Sequence, residues 1–266
     1  MKYALIAGLM AAGFAPTANA EEGHSNAGQT FVEIGAGMGQ THASQFDFIN
    51  PVAAPYIANF PIPVPGVSKT AGDRIILDSQ RRDASSPAFE ASVGHFVTDR
   101  FYIRATYRYL GKTHFSGSAG FPLDPTIPIT IAFDQDYYMT AHAGYLGLGY
   151  QLPLARPLFA DLSAEGGVAR LSSISRQGAN VGDPFGHPRR TRDNFSAGAS
   201  VGLGVAIGAR TDVIFKARAD ALGTAETGLS TAMASPDGNY GINPNEQLKL
   251  HNLVNYSVGV ALRERF

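Results

Sequence analysis

The sequence lacks cysteine and tryptophan altogether, and only 16% of its 266 residues carry a charged side chain. Without cysteine, a disulfide scaffold and thiolate chemistry are both excluded. An excess of one charge is also lacking, since 21 Lys and Arg residues stand against 22 Asp and Glu residues. This balance gives no electrostatic reason to expect a nucleic-acid partner. The 44% of hydrophobic residues are enough for a packed structure, so disorder is excluded as the main state.

Long hydrophobic runs are missing as well, apart from one at the N-terminus. Residues 4–14 are apolar or small, follow the basic residue Lys2 and precede an Ala-Asn-Ala sequence at 18–20 that has the form of a signal-peptidase site. The alternatives are a short transmembrane helix or a buried core helix, but the run is shorter than the roughly 20 residues that cross a bilayer. We predict that residues 1–20 are a removed secretory signal and that residues 21–266 form a single domain.

Glycine, in contrast, is abundant, with 30 of 266 residues or about 11%, against roughly 7% in average proteins. Many glycines fall in stretches where apolar residues alternate with small or polar ones. Residues 195–208 have an apolar side chain at every odd position and Gly, Ser or Ala at every even position. This period of two is typical of a strand, and a helix is a poor interpretation. So many glycines would weaken a strand in a soluble sheet.

Eight segments share this alternation and predict eight β-strands. They span residues 30–40, 87–97, 100–110, 135–150, 157–171, 193–209, 212–222 and 248–266. The connections alternate between short turns at 98–99, 152–156 and 209–211 and long segments at 41–86, 111–134, 172–192 and 223–249. Short turns on one rim and long loops on the other are typical of a bacterial outer-membrane barrel. The predicted fold is an all-β, transmembrane, antiparallel up-and-down β-barrel of eight strands.

The fourth segment changes phase within its length. Tyr145 belongs to one apolar face, whereas Leu146 and Leu148 belong to the other. We expect a β-bulge between Tyr145 and Leu146 to reconcile the two faces. Residues 127–133, in the long segment before it, predict an extension of the same strand above the membrane.

The last segment, YSVGVALRERF, ends on Phe266, and Tyr256 and Val258 share its apolar face. Together with the strand pair ASVGHFVTDRFYIRATYRYLG and the glycine-rich SAGASVGLGVAIGA, it resembles the eight-stranded outer-membrane β-barrel family that contains the OmpA transmembrane domain and the neisserial opacity proteins. The resemblance covers the mature chain as an architecture, through patterns that many members share. It implies a Gram-negative outer-membrane location and a terminal strand that the barrel-assembly machinery recognises, here through Phe266 and Tyr256.

Because tryptophan is absent, tyrosine and phenylalanine must supply the aromatic belts at the two membrane interfaces. The candidates are Phe101, Tyr107, Tyr109, Tyr145, Tyr150, Phe195, Phe215, Tyr256 and Phe266. This number is enough for two belts.

The same alternation assigns charged side chains to the barrel interior. They are Glu33, Glu90, Arg104, Arg108, Asp161, Glu165, Lys216, Arg218, Asp220, Arg263 and Arg265. An eight-stranded barrel is only wide enough for side chains to fill, so we expect opposite charges to pair, for instance Glu90 with Arg104 or Arg108. Two interpretations are open for this set: a gated pore or proton path, and a salt-bridged core that fixes the strand register. The second is the simpler one.

The long segments carry the candidate surface contacts. They are Phe46, Phe48, Tyr56 and Phe60 in the first segment and Arg189, Arg190 and Arg192 in the third. The aromatic residues either contact a host surface, a hydrophobic solute or another barrel, or they fold down as a lid on the barrel mouth. The arginines either meet the phosphates of lipopolysaccharide or form an ordinary solvated basic cluster.

Catalysis and metal binding find little support. His95, His142 and His251 fall in strands, but no Ser-His-acid or Asp-His spacing matches an enzyme motif. No pattern of His and carboxylates has metal-ligand spacing, and no cofactor is implied.

We therefore expect a non-enzymatic outer-membrane protein with a structural or surface-interaction role through its long extracellular loops. The alternative is a narrow porin or conduit for small solutes across the outer membrane. The expected partners are outer-membrane lipid and lipopolysaccharide, the barrel-assembly machinery, and a host or cell-surface ligand, but not nucleic acid.

Overall fold

The computed structural model describes residues 25–49, 76–78, 81–122, 130–177, 187–229 and 247–266. The strands in these ranges are β1 Thr30–His42, β2 Gln45–Ile49, β3 Ile76–Asp78, β4 Asp83–Phe96, β5 Phe101–Pro122, β6 Thr130–Pro153, β7 Leu158–Gln177, β8 His187–Ala206, β9 Thr211–Glu226 and β10 Gln247–Arg265. Within these ranges, no helix is long and apolar enough to cross a membrane. The signal segment predicted at residues 1–20 lies outside the described residues.

Eight of these strands close into one antiparallel barrel. Their order is β1, β4, β5, β6, β7, β8, β9 and β10, and β10 pairs back with β1 from Phe31↔Arg265 to His42↔Val254. Apart from the short β2 and β3, each strand pairs with the next one along the chain, so the topology is up-and-down. The predicted eight-stranded antiparallel barrel is confirmed, because each predicted segment overlaps one barrel strand.

The segment 41–86, predicted as a loop, contains the two additional strands. β2 pairs with the outer end of β10, with Gln45 opposite His251. β3 pairs with the outer end of β5, with Ile76 opposite Gly120. β2 shows a short alternation at residues 45–48 that was not used to predict a strand, whereas the three residues of β3 are too few for an alternating pattern.

The outer ends of several strands run well past the predicted segments. β5 has 22 residues and β6 has 24, whereas roughly 9–11 residues cross a bilayer. Since β6 begins at Thr130, residues 130–133 extend this strand as expected. β8 begins at His187, so Arg189, Arg190 and Arg192 lie in a strand and not in a loop as predicted. Backbone hydrogen bonds hold polar strand ends of this kind. Because such ends need no apolar face, the sequence shows no hydrophobic alternation there.

Strand β6 keeps one phase throughout, and the prediction of a bulge between Tyr145 and Leu146 is wrong. Its register with β5 and β7 runs across both residues without a break. Tyr145 is therefore buried inside the barrel and is not a belt residue, whereas Leu146 is 72% exposed on the outer surface. The register shift between β5 and β6 lies instead on β5, between Leu110 and Thr113.

The phase of β6 is hidden in the sequence because its inward face changes character along its length. The outer half points apolar side chains inward, while the half nearer the short turns presents Gly147 and Gly149. A side chain at Gly149 would overlap the ring of Tyr102, and one at Gly147 would overlap Glu165. Glycine here leaves room for inward side chains of neighbouring strands.

The short turns and the two ends of the barrel lie on the same rim. Thr30 N–H donates to the carbonyl of Phe266 at 3.2 Å, and Phe266 N–H donates to the carbonyl of Thr30 at 2.8 Å. Before β1, the Ser25 hydroxyl donates to the Asp99 carboxylate in the β4–β5 turn, and Asn26 Nδ2 donates to the Asp99 carbonyl at 3.2 Å. The hydrogen bond from Ser25 holds the pKa of the Asp99 carboxyl below its usual range. Short turns mark the periplasmic rim of bacterial outer-membrane barrels.

The outer surface of the barrel carries a wide band of exposed apolar side chains. It includes Ile34 and Met38 of β1, Phe89 and Val93 of β4, Ile103 of β5, Leu148 of β6, Leu162 of β7, Val201 of β8 and Val258 of β10. Five of the predicted belt residues are also exposed, namely Phe101, Tyr107, Phe195, Tyr256 and Phe266. A soluble monomer does not leave so large an apolar surface in water, so lipid covers this band.

Candidate functional site: the barrel interior and the outer rim

An aromatic cluster closes the interior at the periplasmic end. The rings of Phe31, Phe96 and Tyr102 are buried and lie 5.2 to 5.5 Å apart between centroids. The Tyr102 hydroxyl donates to Asp161 at 2.9 Å, and the Arg263 guanidinium lies 4.5 Å from the centroid of Phe31. The aromatic cluster is thereby joined to the charged residues above it.

Next to the aromatic cluster, charged side chains fill the interior. The eleven residues assigned to the interior by alternation all point into the barrel, and Asp212 joins them. We call these twelve residues the lumenal network. Its carboxylates are Glu33, Glu90, Asp161, Glu165, Asp212 and Asp220, and its cations are Arg104, Arg108, Lys216, Arg218, Arg263 and Arg265. Six carboxylates therefore stand against six cations, and the lumenal network has no net formal charge.

Glu33 is the centre of the lower half of the lumenal network. Its side chain is fully buried and contacts the Lys216 ammonium, while Arg263 Nη2 lies 2.8 Å from Glu33 Oε2. The same Arg263 nitrogen lies 2.8 Å from Asp161, and Arg104 Nη1 lies 3.7 Å from Glu33. One buried carboxylate thus joins β1 to β5, β9 and β10.

The upper half of the lumenal network is built around Asp220 and Glu90. Arg108 Nε lies 3.0 Å from Asp220, and Arg108 Nη1 lies 3.3 Å from Glu90. Arg218 lies 2.8 Å from Asp220 and 2.6 Å from Glu165. Arg108, Arg218, Glu90 and Asp220 each have more than one opposite neighbour, which offsets the desolvation cost of placing them inside the barrel.

Of the two partners expected for Glu90, the structure places only Arg108 beside it. The two residues are directly opposite each other in the β4–β5 register. Arg104, four residues nearer the periplasmic rim on β5, contacts Glu165 instead, and its Nη2 donates to the Ser163 hydroxyl at 2.8 Å. The position of β7 relative to β5, which is set through the registers of both strands with β6, decides this choice and cannot be read from the β4–β5 hairpin.

Two cavities border this part of the lumenal network. One of about 30 Å³ lies beside Glu90, Arg108 and Lys216, which is room for about one water molecule. The other, of about 650 Å³, touches Arg218 together with outward residues such as Val201 and Tyr256. The side chains of Glu33, Arg104 and Arg263 have no solvent-exposed surface. The lumenal network therefore occupies the barrel at mid-height.

The outer half of the interior is apolar instead of charged. Its buried residues include Leu110, Phe115, Tyr137, Met139, Ala141, Ala143, Tyr145, Leu171, Leu222, Leu248, Leu250 and Leu253. We call this cluster the outer apolar core. Phe46 packs against it, with its ring 5.8 Å from that of Phe115. Of the four predicted aromatic contacts, Phe46 thus covers the barrel mouth, while the side chain of Phe48 and residues Tyr56 and Phe60 lie outside the described part.

On the outer side of the barrel, the backbone pairing between β8 and β9 ends before the two strands end. Their backbone ladder stops at Ala197↔Ala221, although β8 continues to His187 and β9 to Glu226. Side chains bridge the strands above that point: Ser196 donates to the Ala221 carbonyl at 2.7 Å, and Asn194 donates to the Thr224 carbonyl at 3.0 Å. One backbone bond between the described strand ends, from Gly228 N–H to the Pro188 carbonyl at 2.8 Å, lies at the outer rim. We call this stretch the β8–β9 seam.

A basic cluster closes the β8–β9 seam at its outer end. Arg190 and Arg192 of β8 lie 3.0 and 2.8 Å from the carboxylate of Glu226 in β9, and Lys249 of β10 lies 3.5 Å from it. Glu226 is almost fully buried, whereas 47% of the Arg190 side chain and 41% of the Arg192 side chain are exposed. Arg189 lies on the opposite face of β8, where it contacts the Ser172 hydroxyl. Of the three predicted arginines, Arg190 and Arg192 are therefore held by a carboxylate that was not predicted from the sequence.

The histidines form isolated pairs in the part of the chain described. His95 contacts the Thr30 hydroxyl at 3.2 Å, and His142 contacts the Tyr107 hydroxyl at 2.7 Å on the outer surface. His251 lies 3.1 Å from Asp47, which β2 brings beside it. No group of three or more His, Asp or Glu side chains in the described ranges is arranged to hold a metal ion.

Three charged residues of these sites, Asp212, Glu226 and Lys249, were not predicted from the sequence. Asp212 follows the same alternation as Ile214 and Lys216, and extending that pattern by one pair would have found it. Glu226 lies in the segment predicted as a loop, beyond the end of any alternating pattern. No signal in the sequence connects it with Arg190 and Arg192.

No family model matches this chain, and no curated protein is detectably similar to it in sequence. Among solved structures, the chain is similar to Neisserial surface protein A at 11% identity, covering 89% of this chain and 97% of the other with a TM-score of 0.44. It is also similar to OprG from Pseudomonas aeruginosa at 10% identity, 90% and 96% coverage and a TM-score of 0.46. The outer membrane protease OmpT from Escherichia coli gives 8% identity, 93% and 99% coverage and a TM-score of 0.48. The fold is that of an outer-membrane β-barrel. These likenesses concern the fold alone.

Proposed function

We propose that this protein is an outer-membrane barrel with a closed lumen, whose role is structural or lies in surface interactions made by its outer end. The observation that carries the proposal is the lumenal network, in which buried charges of both signs fill the barrel at mid-height. Eight strands leave no aqueous channel once such side chains are in place. The strand ends that extend past the membrane, β5 and β6 above all, then provide the surface available to partners.

The orientation follows from the two rims. We infer that residues 1–20 direct secretion and are removed, that the rim with short turns faces the periplasm, and that the long segments face outward. The apolar band around the barrel supports this placement, since it needs a bilayer to cover it.

Planar-bilayer recording of the refolded chain tests the closed lumen. The proposal expects only rare, small current events from the parent protein. A steady, large conductance would contradict the proposal and favour a narrow porin.

One observation favours a second candidate function, a conduit for small apolar solutes. The outer apolar core lies beside the β8–β9 seam, where side chains replace the backbone ladder. An apolar molecule that displaced Phe46 could pass from the outer apolar core to the lipid through the β8–β9 seam without crossing the lumenal network. Uptake of an apolar solute by cells that express the protein, without ion conductance in bilayers, would support this function. Equal uptake with and without the protein would exclude it.

We infer no catalytic role. His95 and His142 each contact a single hydroxyl group, and His251 contacts one carboxylate, Asp47. Proteolysis assays with refolded protein test this inference, and cleavage that is lost in His251→Ala would overturn it.

A further inference from the structure

The outward face of β7 changes from apolar to charged on the outer side of the barrel. Its outward residues are apolar or small from Leu158 to Val168, and the next one is Arg170. On β8, the apolar outward residues end at Phe195, which is 95% exposed, and the next outward residue is Asp193. The apolar stretch of β7 has the length of the roughly 9–11 residues that cross a bilayer. Arg170 and Asp193 therefore lie at the edge of the apolar band, at the level of the lipid headgroups.

Three exposed cations project from the same side of the barrel at this edge or beyond it. We call them the outer-rim cations: Lys112 of β5, Arg170 of β7 and Arg189 of β8. Lys112 alternates with the buried residues Thr113 and Phe115, so it points away from the interior. Arg189 Nη1 lies 3.4 Å from the hydroxyl of Ser172, which follows Arg170 on the outward face of β7. The outer-rim cations thus share one outward face.

Among the described residues, one of the outer-rim cations pairs with a carboxylate and two do not. Arg170 donates to Asp193 from Nε at 2.8 Å and from Nη2 at 3.0 Å. Lys112 Nζ instead lies 4.0 Å from the ring centroid of Tyr138, and Arg189 contacts a hydroxyl. A ring and a hydroxyl hold a cation in place but do not neutralise it. The outer-rim cations and Asp193 together therefore keep a positive charge.

The remaining donors of this group match the oxygen atoms of phosphate. A guanidinium has five N–H donors, and Arg170 uses two of them on Asp193, so donors remain on a side chain that is 64% exposed. Arginine binds phosphate oxygens in pairs, and lysine binds them as a point charge. The strand register adds hydroxyl donors, because it places Thr140 and Thr191 on either side of Ser172.

The spacing of the outer-rim cations indicates the size of the ligand. Neighbouring strands lie about 4.8 Å apart, so backbone positions on β5 and β8 are separated by roughly 14 Å. A headgroup with two phosphates fits this span better than a single small anion does. Because the site lies at the edge of the apolar band, a lipid can reach it from the membrane.

Arg190 and Arg192 project from the opposite face of β8. The β7–β8 register places them opposite the buried residues Ser173 and Leu171, so they point into the barrel mouth. Of the three arginines considered for lipopolysaccharide phosphates, Arg189 therefore faces the lipid side and the other two do not. The strand thus presents arginines to two different environments.

We propose that the outer-rim cations form a binding site for the phosphate groups of outer-leaflet lipopolysaccharide. Asp193, Tyr138 and Ser172 hold their side chains in position. The acyl chains of the same lipid would lie against the apolar band, where Val168 and Phe195 are exposed. This inference rests on the proposed orientation, in which this rim faces outward.

Binding of the refolded chain to bisphosphorylated lipid A, to dephosphorylated lipid A and to inorganic phosphate tests the proposal. We expect at least a tenfold preference for the phosphorylated lipid, which corresponds to about 1.4 kcal/mol. Equal affinity for the two lipids would overturn the proposal. Inorganic phosphate that binds as tightly as the phosphorylated lipid would assign the site to a dissolved anion and overturn the lipid assignment.

Matched variants separate a built site from general attraction between charges. R170Q/R189Q should weaken binding of phosphorylated lipid A by tenfold or more. The control R190Q/R192Q removes the same charge from the inward face of β8 and should change binding less than threefold. A second control, R100Q/R210Q, removes two exposed arginines at the periplasmic rim and should also change it less than threefold. A loss in either control that equals the loss in R170Q/R189Q would show charge attraction only and overturn the proposal.

Failure of the proposed function would be recognised separately. None of the altered residues belongs to the lumenal network, so a conducting parent protein would contradict the closed lumen without changing lipid binding by the purified protein. Protease cleavage at the short turns of the protein in intact cells would contradict the orientation, again without changing lipid binding in solution.

Discussion

At the scale of single residues, the many glycines of this chain have a packing role. Inward glycines lie beside large side chains of the next strand, as Gly149 does beside Tyr102, Gly94 beside Phe31 and Gly204 beside Phe159. In each case an added Cβ would overlap the ring. Glycine normally weakens a strand, and here that cost is offset by the aromatic rings and charges that fit into the narrow barrel.

Two glycines of β6 give a matched test of this packing role. Gly149→Ala should destabilise the barrel by about 1 to 3 kcal/mol, because the new methyl group displaces Tyr102 from the hydrogen bond that it donates to Asp161. Gly144→Ala should have little effect, since no atom lies within 4 Å of its Cβ position. Urea unfolding in lipid vesicles measures both. Equal effects at the two positions would show that backbone flexibility, and not ring packing, sets the requirement for glycine.

The lipid-facing residues make a second prediction at this scale. Val201 lies near the middle of the membrane-crossing part of β8 and is 52% exposed on the apolar band. Val201→Arg should destabilise the folded barrel by roughly 2 to 4 kcal/mol, whereas Val213→Arg, close to the periplasmic rim, should cost less. Unfolding free energies in vesicles measure the difference. A small and equal effect at both depths would mean that this surface does not meet lipid.

At the scale of elements, alternation predicts the strands that face lipid on one side. In β10 the phase that places Val260 outward and Arg263 inward holds through the membrane-crossing part. The eight alternating segments do not include the short strands β2 and β3, and they miss the outer end of β8, because that polar strand end buries no continuous apolar face. The end of the β8–β9 ladder at Ala197 is equally hidden, since it follows from which strands pair and not from which residues alternate.

The end of the last strand, β10, gives a testable prediction about the ring of Phe266. Phe266 is 67% exposed, while its backbone pairs with Thr30 in both directions. Phe266→Ala keeps this pairing and removes only the ring, whose burial is worth at most on the order of 1.5 to 3 kcal/mol. We expect it to lower the amount of barrel in the outer membrane, through weaker recognition by the assembly machinery, while refolding into detergent stays nearly unchanged. Loss of refolding in detergent would make Phe266 a structural residue instead.

At the scale of the whole molecule, the interior is divided into an aromatic cluster, a charged middle and an apolar outer part. The sequence places Glu33 and Lys216 inside the barrel, yet it cannot show that these residues, 183 positions apart, meet across the lumen. That contact depends on the stagger of all eight strands. The charge balance of the lumenal network is likewise a property of the closed barrel and not of any hairpin.

The central claim is that paired charges keep the lumen closed, and planar-bilayer conductance of charge variants tests it most directly. R104Q/R108Q leaves six carboxylates against four cations and should open a measurable cation-selective leak, whereas the parent should stay closed. The matched control R104Q/E165Q leaves five charges of each sign, so it should show no cation selectivity although it also shortens the side chain at position 104. A steady, large conductance from the parent, or the same leak from both variants, would contradict the claim that balanced charge closes this barrel.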